Sequence, residues 1–151
     1  MFMTFKQKAH CHYLQLISDK VQLLQQVMAD LKESGSNETK STAGDKHETA
    51  LAMLQIEQAN VRQQLKDTHE QRVLLEKINP LLSAAVVMND SLVKTNRGYF
   101  FLSIALGKAT IDGIKVIALS QQSPLGMQLI GLKAGEVVVV NSSRYEVETI
   151  E

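Results

Sequence analysis

The sequence predicts an α+β protein: an antiparallel α-helical hairpin over residues 1–79, then a small antiparallel β-sheet packed on one short helix over 80–151. Three observations predict it. Apolar residues recur at alternating steps of three and four along the first half. No proline precedes Pro80, and the only glycines before it are Gly35 and Gly44, whereas six of the eight glycines follow it. From Ala84 the apolar pattern changes to alternation or short continuous runs.

In the first arm, Leu14, Ile17, Val21, Leu24, Met28 and Leu31 form an a/d seam, and Leu16 and Leu23 are expected to widen it. Residues 34–44 hold Gly, Ser, Asn and Thr with almost no apolar side chain and read as a break, so the hairpin tip falls near 34–48. The helical pattern resumes at Asp45, with Leu51, Leu54, Val61, Leu65 and Leu75 on one seam and Gln58, Thr68 and Arg72 as its polar members. Two arms of about 30 residues, roughly 45 Å each, fold back on each other and should protrude from a domain this small.

In the second half, strands are expected at 84–88, 91–94, 99–105, 114–119, 136–140 and 145–150. Thr95-Asn96-Arg97-Gly98, Asp112-Gly113 and Asn141-Ser142-Ser143 supply the turns. Ser123 is a good N-cap and Pro124 suits the first helical position, so 125–130 read as a short helix stopped by Gly131. Tyr99-Phe100-Phe101 and the methionines Met28, Met53 and Met88 read as packing residues rather than a ligand surface.

Charge excludes some functions. Sixteen Lys+Arg balance sixteen Asp+Glu, 10 against 10 before residue 80 and 6 against 6 after it. Strong independent binding of nucleic acid needs a basic excess, which this balance does not supply. Lys94, Arg97, Lys108 and Lys115 are too scattered in sequence to name a patch, although folding could gather some of them. No apolar run approaches a membrane span, and the N-terminus lacks the apolar core of a signal peptide, so a cytoplasmic location is expected. The single Cys11 permits no internal disulfide. His10-Cys11-His12 is a poor zinc site, because successive helical residues point about 100° apart.

Two stretches resemble the bacterial Gre transcription elongation factors. Gly44-Asp45-Lys46-His47-Glu48-Thr49-Ala50 is similar to the Gre tip motif Gly-Asp-x-x-Glu-Asn-Ala, with Thr49 in place of Asn. Ser123-Pro124-Leu125-Gly126-Met127-Gln128-Leu129-Ile130-Gly131-Leu132-Lys133-Ala134-Gly135-Glu136-Val137-Val138 is similar to that family's Ser-Pro-hydrophobic helix, then Leu-(Leu/Ile)-Gly-Lys and a glycine or acid before the final hairpin. The resemblance implies an FKBP-like C-terminal domain. It also implies a partner, RNA polymerase, whose secondary channel receives the hairpin. Asp45 and Glu48 would share a Mg²⁺ with the polymerase active site, and the docking candidates would be Ser123, Pro124, Leu125 and Gly131. The chain would then be no enzyme by itself and carry no cofactor of its own, with a monomer favoured.

The residues themselves leave Asp45 and Glu48 open. At i and i+3 on a helix the two carboxylates share a face, and hard oxygen ligands suit Mg²⁺. Asp-x-x-Glu at the start of a helix is equally a capping box. Lys40, Lys46 and His47 flank the pair with positive or neutral groups. A tip of this mixed charge would suit obstruction of the channel as well as cleavage. Two other classes compete: a coiled-coil interaction module serving a different assembly, and a prolyl isomerase by fold analogy alone.

Overall fold

The computed structural model describes residues 3–39 and 45–151, without the side chains of 36–39 and 45–47. Two long helices come first, α1 (Phe5–Thr39) and α2 (Asp45–Glu76). Then follow β1 (Leu92–Thr95), β2 (Gly98–Ser103), β3 (Gly107–Ile111), β4 (Ile114–Ser120), α3 (Pro124–Leu129), β5 (Val137–Val140) and β6 (Ser143–Ile150). The chain forms two compact units, Leu16–Arg72 and Met1–Gln15 with Val73–Glu151. The start of α1 and the last turn of α2 therefore belong with the sheet.

In the unit Leu16–Arg72 the two helices run antiparallel along the expected seam. Ile17, Val21 and Leu24 of α1 and Val61 and Thr68 of α2 are buried, and Met28, Leu31, Leu51, Leu54 and Leu65 are half-buried. The polar seam members are satisfied locally. Thr68 donates its hydroxyl to the Gln64 carbonyl at 2.7 Å, and Gln58 Nε2 donates across to the Leu31 carbonyl at 3.3 Å. Leu16 and Leu23 do not widen the seam: they are 37% and 64% exposed. Each lies one residue, and so about 100°, from a seam position. The expected break also begins later than composition implied, because α1 continues through Gly35 to Thr39. Gly35 faces the Gln58 amide, so the facing helix still covers this turn.

In the other unit the six strands take the order β3-β4-β2-β1-β6-β5. Neighbours are antiparallel except β2 and β4, which run parallel in the register Tyr99↔Val116 to Ser103↔Ser120. The exception arises from β3, a strand the sequence pattern did not reveal. The chain leaves β2, takes the sheet edge as β3, and returns as β4 between them. Residues 84–88 form no strand, only a bridge from Val86 to Lys133. Val87 is buried there, its N–H donating to the Leu132 carbonyl at 2.8 Å and its carbonyl accepting from Gly131 at 2.7 Å. The Asp112-Gly113 and Asn141-Ser142 hairpin turns have positive φ at both central residues, as two-residue turns between twisted strands require.

The sheet buries both faces. Phe100, Leu102, Val93 and Val147 pack with Leu129 of α3 and with Val87 on one side. On the other, Tyr13 of α1 sets its ring 6.2 Å from that of Phe101. The Tyr13 hydroxyl lies 2.9 Å from the Gly107 carbonyl and 3.3 Å from that of Val116. Helix α1 starts at a reciprocal cap: Gln7 N–H donates to Thr4 Oγ1 at 3.1 Å, and Thr4 N–H donates to Gln7 Oε1 at 2.7 Å.

Burial pushes the Tyr13 phenol up to about 12 from its ordinary 10.0. The folded state thus favours the neutral phenol. The corresponding stability is complete below the unfolded value and is lost as pH rises from about 10 through about 12. Such a shift corresponds to on the order of 2–3 kcal/mol. Tyr13→Phe is expected to cost about 1 kcal/mol near neutral pH and to remove this part of the alkaline decline. Urea unfolding of both proteins across the alkaline range measures the difference.

Candidate functional site

Three places in the fold hold the residues of functional interest. The first is the start of α2. Asp45 is its first residue, and Glu48 one turn later is exposed. Their i, i+3 spacing on one helix puts both on a common face. The Asp45 side chain, those of Lys46 and His47, and all of Lys40 and Gly44 lie outside the described residues, so the choice between cap and metal ligand falls there too.

The second is the turn and helix after β4. Ser123 is the N-cap of α3, its Oγ accepting from Gly126 N–H at 3.1 Å and donating to the Ser120 carbonyl at 2.6 Å. Pro124 takes the first turn, where its missing N–H costs nothing. Leu125 packs on the core, and Gly131 ends the segment at φ 86°. All four residues thus take part in building the helix or its exit, with Pro124 itself exposed. The large apolar side chains that α3 and its C-cap present to solvent are Met127, 61% exposed, and Ile130, 37% exposed, beside Pro124 and Gln128. Gly126 is fixed by space: a Cβ there would run into the Ser120 carbonyl oxygen.

The third is a polar cluster that the sequence did not signal. Lys6 is buried in the first turn of α1 and donates Nζ–H to the Leu82 carbonyl at 2.7 Å. Burial pushes its ammonium below the usual lysine range, opposed by the negative charges of Asp90 and Glu151. Asp90 has φ 74° just before β1, and burial raises its carboxyl, opposed by Lys6 and His10. His10 Nε2 donates to the Leu75 carbonyl at 2.7 Å. Lys6, Leu82, Met88 and Asp90 border a cavity of about 380 Å³. No local pattern marks Lys6, a lone lysine between Phe5 and Gln7; its place follows from α1 packing against the segment before β1.

Metal ligation has little to draw on among the described residues, where no group of three or more His, Cys, Asp or Glu could hold an ion. His10 turns to Leu75 while Cys11 and His12 are exposed. Phe100 and Phe101 are core, as expected, and the Tyr99 ring packs tilted against that of Phe5 at 4.7 Å. Met53 and Met88 are not packing residues, being 59% and 53% exposed. No helix among the described residues is long and apolar enough to cross a membrane.

No family model and no curated protein matches the chain. Among solved structures, the chain is similar to the transcription factor Gfh1 at 16% identity, over 94% of this chain and 90% of that one, with a TM-score of 0.30.

Gly126→Ala is expected to destabilise the fold by about 2 kcal/mol or more, since helix and turn must separate to admit the methyl group. Thermal unfolding measures it. Lys6→Met leaves the Leu82 carbonyl and the Asp90 carboxylate without their cation and should cost about 1–3 kcal/mol at neutral pH. Adding Asp90→Asn should recover part of that loss, because the half-buried charge goes and Asn tolerates the positive φ. A urea series on the single and double variants reads out the coupling.

Proposed function

We propose that the chain is a Gre-like regulator of RNA polymerase, with a helical hairpin for the secondary channel and an FKBP-like domain that docks on the polymerase rim. The observation that carries this reading is the order of parts: a long antiparallel helical pair precedes a sheet domain, with Asp45 and Glu48 at the start of the second helix and a Ser-Pro-capped helix behind β4. The motif resemblance at 44–50 and 123–131 supports it.

In this reading Asp45 and Glu48 act in trans. Two carboxylates alone bind Mg²⁺ weakly, since that ion keeps most of its shell as water and phosphate oxygens. Completed by polymerase residues and RNA, the pair would help hold a second ion that stabilises attacking and leaving oxygens during RNA cleavage. The docking surface would be the segment of Ser123, Pro124, Leu125 and Gly131, which holds up the exposed side chains of Met127 and Ile130.

Pull-down with core polymerase at low salt tests the reading, joined to an RNA-cleavage assay on stalled complexes. Binding is expected, with cleavage reduced at least tenfold in an Asp45→Ala, Glu48→Ala double variant whose binding is intact. Absence of binding overturns the whole proposal. Binding with cleavage absent or unaltered in that variant removes the metal role and leaves a channel regulator.

One observation favours a second reading, a coiled-coil interaction module of another assembly: Leu23, Met53 and Ile56 are 64%, 59% and 61% exposed on the helices. Sedimentation that shows self-association lost on changing these three to Gln would favour it.

A further inference from the structure

We propose that the sheet carries a binding site for a small phosphate-bearing ligand, a nucleoside diphosphate in class, in the cavity between Arg97, Lys108 and Lys115. The site is independent of the polymerase reading and uses none of its residues.

Strand pairing builds it. In the β3–β4 ladder Lys108 lies opposite Ile117 and Thr110 opposite Lys115. Residues directly opposite share a face, and so do residues two apart on a strand. Lys108, Thr110, Lys115 and Ile117 therefore lie on one face, the face whose core cluster includes Phe100 and on which Ile117 packs. Helix α3 has only 6 residues and packs along β5, at the far edge of the sheet from β3. Over β3 and β4 this face stays open as a cavity of about 480 Å³.

The third cation arrives from the β1–β2 turn. Arg97 Nε donates to the Arg144 carbonyl at 2.9 Å, and its guanidinium sits 5.5 Å from the centroid of the Tyr145 ring. That ring in turn packs edge-on to Phe100 at 5.8 Å. Arg97 is thus a positioned charge rather than a free chain. Gly98 beside it leaves open space where a side chain would stand.

No acidic residue lines the cavity. Asp112 of the β3–β4 turn pairs with Lys8 at 2.6 Å, and on β6, beyond β2 and β1, Glu146 pairs with Arg144 at 3.7 Å and Glu148 with Lys94 at 3.9 Å. Among the described residues Lys108 and Lys115 have no ion-pair partner, and both are exposed. Three like charges around one concavity repel one another, in a chain whose net charge is zero. A ligand with two or three adjacent negative charges resolves that repulsion. A diphosphate supplies them, with acceptor oxygens for the Arg97 fork, the two ammonium groups and the Thr110 hydroxyl. The cavity volume falls in the small-molecule range, and Ile117 gives an apolar contact for the rest of the nucleoside.

Titration calorimetry of the full chain at low salt with GDP tests the proposal, with pyrophosphate, GMP and guanosine in parallel. GDP is expected to bind, GMP several-fold more weakly, and guanosine not at all. A Lys108→Gln, Lys115→Gln variant should weaken GDP at least tenfold. A Lys94→Gln, Lys133→Gln variant, equal in charge but outside the cavity, should change it less than threefold. Circular dichroism verifies that both variants fold. The proposal is overturned by no binding of GDP or pyrophosphate at millimolar concentration, or by equal weakening in the two variants. A single-stranded 12-mer RNA that binds tenfold more tightly than GDP, and loses this in the first variant only, would overturn the small-ligand assignment in favour of a strand.

Discussion

The ring of Tyr13 against Phe101, with its hydroxyl at the carbonyls of Gly107 and Val116, is the contact on which the sheet unit depends. A six-stranded sheet with two apolar faces needs a cover on each. Helix α3 is too short to serve both, and it covers the face of Phe100 and Leu102. The other face is closed by the first turns of α1, which bring Ala9 and Tyr13 to zero exposure. This is why Met1–Gln15 shares a unit with a sheet that begins far along the chain. The Tyr13 hydroxyl also reaches both β3 and β4 through their backbone carbonyls. One side chain thereby fixes the edge strand to its neighbour from below, where the ladder fixes it in plane.

Much of this was legible in the sequence because it is encoded locally. The alternating steps of three and four from Leu14 to Leu31 specify a seam that only a facing helix can cover. Asp112-Gly113 and Asn141-Ser142 specify turns because few residues tolerate positive φ. What was illegible depends on distant partners. Gly107-Lys108-Ala109-Thr110-Ile111 carries only two apolar side chains and is not among the expected strands; it becomes β3 by pairing along β4. Residues 84–88 read as strand from their apolar run. Their hydrogen bonds instead go to the loop after α3, around Leu132, and leave a bridge where a ladder was expected. The parallel pairing of β2 with β4 follows from the same missed edge strand.

The candidate sites divide in the same way. Asp45, Glu48 and the Ser123–Gly131 segment announce themselves by spacing, since caps and helix faces are local devices. Lys6 and Asp90 come together only through the fold, and each alone is unremarkable in sequence. The desolvation they share is the physical trace they leave, in opposite directions on an ammonium and a carboxyl. The Ser123 segment is local throughout: spacing alone identifies the helix, its cap and its exit. The Ser123 hydroxyl caps the helix and Leu125 packs on the core, while Met127 and Ile130 stay exposed.

Net neutrality has a structural meaning that the total conceals. The exposed pairs Lys8–Asp112, Arg144–Glu146 and Lys94–Glu148 are each worth less than about 1 kcal/mol to stability, because water and salt screen them. Their larger consequence is for the field of the sheet unit. Asp112, the carboxylate at the β3–β4 turn, is paired with Lys8, and Glu146 and Glu148 cancel cations on β6 and β1, so positive charge remains around Lys108, Lys115 and Arg97. Focused by a concave, partly apolar surface, even a few unbalanced charges attract anions more strongly than the same charges spread over a convex one. A chain with equal numbers of acids and bases can therefore be selective for an anion at one place without binding polyanions generally, and that selectivity follows from which partners its carboxylates find.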